Sequence, residues 1–188
     1  MHPLSARSAT LLTTQLQRCA NAFPQLVRLL FWAFTTLLPL KAKSSDLPDP
    51  QLTPGAINPA VSQENLQQTV CQRGYTKTIR PSAYFTNRLK REQIRQLAYS
   101  DRNPRNYEED HLIPLSLGGA PDDPRNLWPQ PLYSTWNARQ KDDLEFVLYK
   151  MLCHGEIPLA TAQNAIASDW ITAWKTYVPS HPQYLPSH

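Results

Sequence analysis

Leu144, Val147, Leu148, Met151 and Leu152 return at intervals of three and four residues, and Gly155 stands just beyond Cys153 and His154. That period puts all five on one side of a helix, and a glycine supplies the left-handed residue at which helices commonly stop. A helix from about Ser134 to Cys153 is therefore predicted. A second is predicted to begin at Pro158, whose fixed φ suits a first helical position, with Leu159, Ala162, Ile166, Trp170, Ala173, Trp174 and Tyr177 on one face. A stripe of that kind, tryptophans included, reads as a core face. Upstream, Thr86 or Asn87 can cap a third helix reaching about Tyr99, while Cys71 to Pro81 reads as irregular or extended. With 188 residues and 41% apolar content the chain can build one compact domain plus attachments, and no internal repeat suggests otherwise.

The attachments are set by composition. Residues 29–40, LLFWAFTTLLPL, form an apolar run of 12 after Arg28 and before the small polar stretch Lys41 to Ser45. A membrane span needs roughly 18 residues or more, so residues 1–42 read as a leader with a secretory signal, and the protein as periplasmic or secreted in a bacterium. A buried N-terminal helix or an uncleaved anchor is the alternative. Residues 43–69, with Pro48, Pro50, Pro54 and Pro59 among Ser, Gln and Asn, read as a linker. The folded domain is expected over 70–178, and the proline-bearing tail 179–188 as disordered. Removing the leader removes Cys19 and leaves Cys71 and Cys153, either a disulfide suited to an oxidising compartment or two buried thiols. No Cys-x-x-Cys pair suggests a zinc knuckle.

The formal charge of +4 is misleading as a whole-chain number. Arg7, Arg18, Arg28 and Lys41 lie in the leader without an acid, and the rest balances at 15 basic against 15 acidic residues. Between Arg73 and Arg105, however, nine Lys/Arg face only Glu92 and Asp101. A concentrated patch of that kind attracts polyanions and makes binding salt-sensitive. Within it Arg88, Arg91 and Arg95 share one helix face, which is either a solvated face or a phosphate-binding one.

Chemistry concentrates between the helices, in Asp110-His111-Leu-Ile-Pro114, Gly118-Gly119, Asn126-Leu-Trp128 and then Asn137 with Lys141 one turn later. An Asp beside a His offers an anionic oxygen for a hard divalent cation and a neutral imidazole able to take a proton from water. In an extended strand neighbouring side chains face opposite ways, so both can serve one site only where the strand bends or twists. Pro114 and the Gly-Gly turn lead to a second short strand near Arg125 to Trp128. Glu108 and Glu109 read as solvated, and a buried Asp-His pair or a turn role for Asn126 would look the same in sequence.

The combined spacing resembles the HNH (ββα-metal) nuclease family, in the variant with Asp-His first and Asn last. The resemblance covers roughly residues 107–141, and the wording around it is similar to that of exported bacterial HNH proteins from Cys71 to Tyr177. It implies an α+β fold in which a small ββα motif is embedded in a mostly helical domain. It further implies Asp110 and Asn137 as metal ligands, His111 as general base, and Asn126 as the residue bracing the loop and the imidazole. Arg88, Arg91, Arg95 and Lys141 would then grip the phosphate backbone. The interval from Asn126 to Asn137 is longer than in compact members of the family. The implied cofactor is Mg²⁺, with Mn²⁺ or Zn²⁺ as alternatives, and the implied substrate is DNA, or RNA, cut with little sequence preference. Two rivals remain: an exported binding module that has lost turnover, and a metal-dependent hydrolase of other phosphodiesters or polyanions.

Overall fold

In the computed structural model, which describes residues 46–185, the chain is a mixed α+β structure with one two-stranded antiparallel sheet. Helices α1 (Tyr75–Ile79) and α2 (Ala83–Gln96) precede strand β1 (Tyr107–His111). Strand β2 (Leu127–Pro131) and helices α3 (Ala138–Cys153) and α4 (Leu159–Tyr177) follow. The expected leader lies outside the described residues, as do residues 43–45 and 186–188. Among the described residues no helix is long and apolar enough to cross a membrane.

Helices α2 and α3 start where a side chain caps them. Asn137 accepts the Arg139 N–H at 3.0 Å while Gln140 accepts the Asn137 N–H at 3.0 Å, a reciprocal pair that starts α3 three residues after the expected Ser134. Ser134 instead belongs to the turn, accepting from the Asn137 amide. Helix α2 begins earlier than expected, because Ser82 rather than Thr86 or Asn87 accepts the first free amide, that of Phe85. Pro158 stands just outside α4 rather than in its first turn, and α1 forms where an irregular stretch was expected.

The apolar faces of α3 and α4 meet as their periodicity requires. Leu144, Leu148, Ile166 and Trp170 are wholly buried in the main core. Helix α2 covers the sheet, with Ile94 against Tyr99 and Tyr107, Gln93 donating to Leu127 O at 2.8 Å and Lys90 to Tyr107 O at 2.9 Å.

Two expectations about the chain's ends are corrected. Residues 46–69 are not a free linker. Gly55 N donates to Arg125 O, Asn58 N to Gly118 O, and Ala120 N to Ala56 O, while Val61 and Leu66 enter the core. The segment's prolines are compatible with this because the backbone groups that reach the domain belong to Gly55, Ala56 and Asn58, none of them proline. At the other end, Tyr184 and Leu185 pack on the core, so the tail is placed to Leu185.

Cys71 and Cys153 form a disulfide across 82 residues of sequence, tying the segment before α1 to the last turn of α3. On the loop-entropy model a closure of that length contributes about 4 to 5 kcal/mol. Replacing both cysteines by serine is expected to lower the denaturant midpoint accordingly. A loss below about 1 kcal/mol would show that the unfolded chain is already restricted.

Candidate functional site

The loop joining β1 to β2 is held from inside by one amide. Asn126 is fully buried; its Oδ1 accepts from Ile113 N at 2.9 Å, and its Nδ2 donates to Ile113 O at 2.9 Å and to Ala120 O at 3.0 Å. The Gly-Gly turn is what allows this closure. A Cβ on Gly119 would stand 1.8 Å from Ile113 O and 2.7 Å from Asn126 Nδ2, and Gly118 adopts a φ of 73°. Replacing Asn126 by alanine strands three buried backbone groups and is expected to cost about 2 to 4 kcal/mol, read by denaturant unfolding. Replacement by aspartate sets an acceptor-only carboxylate oxygen against the Ile113 and Ala120 carbonyls in a fully buried site and should cost at least as much.

His111 closes β1. It is 5% exposed, and its Nε2 lies 2.8 Å from Pro121 O. A carbonyl oxygen only accepts, so Nε2 carries the hydrogen and Nδ1 keeps the lone pair. The imidazole is thus held by the loop backbone, which Asn126 in turn braces, rather than by Asn126 directly. Burial pushes its pKa below the usual histidine range, with Arg80 and Lys141 acting in the same direction against Pro121 O and Asp110. A neutral imidazole at neutral pH is the result.

This histidine lines a cleft of 490 Å³. Its other walls come from Ala83, Thr86, Asn87 and Lys90 of α2, from Tyr107, Glu108 and Glu109 of β1, and from Arg80 and Leu132. Asp110 does not line it. The strand stays paired through its last two residues, Asp110 opposite Trp128 and His111 opposite Leu127. Alternation sends Asp110 towards α3 instead.

There its Oδ2 meets the Lys141 ammonium at 2.6 Å, and the same ammonium donates to His111 O at 2.7 Å and to Glu145 Oε1. Lys141 is therefore not a surface cation for phosphate. Its side chain is 0% exposed, and its three partners consume its three protons. Burial works against its charge, but Asp110 and Glu145 outweigh burial and keep it protonated. Burial pushes Glu145 upward, with Lys141 opposing.

The donors expected to hold a cation can be tested against this arrangement. Asp110 Oδ1 makes no hydrogen bond among the described residues and keeps an acceptor position, whereas the Asn137 side chain is engaged in the first turn of α3, accepting from the Arg139 and Gln140 amides. Among the described residues no three His, Cys, Asp or Glu side chains converge as a metal cluster. One carboxylate and one amide oxygen suit a hard ion that retains most of its water, and fit Zn²⁺ poorly.

Arg88, Arg91 and Arg95 are exposed on α2 and make no ion pair among the described residues. At about 100° per residue they lie beside, not opposite, the α2 residues that wall the cleft.

Two residues of the cleft were not singled out by sequence reasoning, and a third was read as solvated. Arg80 had no signal beyond its place in a basic segment, and Lys90 is legible only once α2 starts at Ala83. Glu109 is the third: far from solvated, both its carboxylate oxygens are buried without partners, and burial pushes its pKa up to about 8. A raised folded pKa stabilises below the ordinary carboxylic range and is lost as pH rises through 8. Glu109→Gln is thus expected to be more stable than the parent above pH 8 and to lose that advantage in acid, as thermal unfolding across pH would show.

Comparison with models of protein families, with characterised proteins and with solved structures finds no match for this chain.

Proposed function

We propose that the chain is a nuclease that hydrolyses nucleic-acid phosphodiesters with low sequence specificity, built on an HNH-type ββα frame formed by β1, β2 and α3. The observation that carries this reading is a neutral imidazole, fixed by Pro121 O, in a cleft that also holds Arg80 and Lys90. His111 Nδ1 takes the proton from the attacking water. Arg80, exposed at the cleft and without an ion pair among the described residues, meets the phosphate and offsets the charge that builds on its oxygens. Lys90 keeps protons to spare after its bond to Tyr107 O. Arg88, Arg91 and Arg95 hold the backbone on either side without reading bases. A divalent cation, Mg²⁺ first, would have Asp110 Oδ1 and Asn137 as its expected ligands on the α3 side of β1, outside the His111 cleft, and no step of this reading is routed through it. Lys141 orients Asp110 and the His111 carbonyl together. The disulfide is compatible with export to an oxidising compartment.

The Lys141 bond to Asp110 favours a second reading, an exported module that binds nucleic acid without cutting it. Salt-sensitive binding with no cleavage under any metal condition would select that reading. Cleavage abolished by His111→Ala would select the first.

A further inference from the structure

The two large apolar side chains left most open to solvent are Tyr84, 78% exposed, and Tyr133, 82% exposed. Neither ring lines the His111 cleft, but each residue follows one that does. Tyr84 follows Ala83 in the first turn of α2 and Tyr133 follows Leu132 beyond β2, and Ala83 and Leu132 both line the cleft. Tyr133 also walls a second hollow of 180 Å³, and Tyr107 is a wall of both hollows, so the two adjoin. At about 100° per residue Tyr84 shares its side of α2 with Arg88, Arg91 and Arg95. The rings thus come from separate elements beside one cation-bearing cleft.

His111 is recessed, so a phosphodiester must enter the cleft to reach it. A duplex carries its phosphates on a stiff cylinder, with its bases stacked inside. A single strand can bend one phosphate inward and turn the neighbouring bases out, where aromatic faces receive them regardless of sequence.

We propose that the site takes single-stranded nucleic acid, with unpaired bases flanking the scissile phosphate stacked on Tyr84 and Tyr133. This rests on the nuclease reading above. The test uses the full chain carrying His111→Ala, so that bound strands stay intact, and fluorescence anisotropy with a 12-nucleotide oligothymidine, an unstructured RNA of that length and a 12-base-pair hairpin. Single strands are expected to bind at least tenfold more tightly than the hairpin. Tyr84→Ala and Tyr133→Ala should each lose about tenfold on single strands and little on the hairpin, while phenylalanine at either position restores binding. Both positions are exposed, so unchanged thermal midpoints should accompany these losses.

Equal affinity for hairpin and single strand, or alanine variants that bind as the parent does, would overturn the proposal. If the parent cleaves duplex in such a case, the nuclease reading survives without it. Absence of binding to every probe at low salt would remove both.

Discussion

Lys141→Met is expected to destabilise the domain by about 3 to 5 kcal/mol, the range found when one partner of a buried ion pair is removed. The side chain is 0% exposed, and its partners Asp110 and Glu145 are only 17% and 19% exposed. Removing the ammonium leaves two carboxyl groups facing each other in a site that water barely reaches, and it frees the His111 carbonyl as well. Relief comes only by protonation. The variant should therefore recover part of its lost stability as pH falls, gaining more than the parent does from its own buried carboxyl groups. Adding Glu145→Gln should also restore a fraction, because one of the stranded charges is gone. Denaturant unfolding at several pH values reads all three, and a cost below about 1 kcal/mol would mean that the cluster contributes little net stability.

His111→Ala is expected to lower the cleavage rate by about 10² to 10⁴-fold, the usual worth of a positioned acid or base. The fold should survive, since the main core does not include this residue. The pH dependence separates a base from a merely buried ring. Burial holds the His111 pKa below the ordinary histidine range, so the neutral form persists into mild acid. The rate should stay level as pH drops through the ordinary range and fall only below it. Rates that decline already on leaving neutral pH would point to another group.

How much of this was legible in the sequence depends on the distance over which each feature is decided. The faces of α3 and α4 could be read because an apolar repeat and a terminating glycine are local properties. The Gly-Gly turn and Asn126 were legible as a pattern, although the reason, an approach of Gly119 to Ile113 O that no side chain permits, is not local. Helix starts were misplaced by three to five residues because Thr86, Asn87 and Ser134 are as able to cap as Ser82 and Asn137, and packing decides among them. Lys141 was misread for a related reason. On a helix wheel it follows Asn137 by one turn, and only the approach of β1 to α3 shows that its charge is consumed internally. Residues 46–69 are poor in apolar side chains, so their attachment by backbone hydrogen bonds to Arg125, Gly118 and Ala120 left no compositional trace. Arg80, Lys90 and Glu109 became site residues because α2 lies over β1, a contact between elements that no spacing encodes.

The measurement that bears most directly on the central claim is cleavage of plasmid DNA, a single-stranded oligonucleotide and structured RNA by the purified protein. Each substrate is incubated with Mg²⁺, with Mn²⁺ and with chelator, beside His111→Ala checked for folding by circular dichroism. The expected result is cutting of at least one substrate by the parent that disappears in the folded variant. No cutting of any substrate under any of these conditions, or undiminished cutting by His111→Ala, would contradict it.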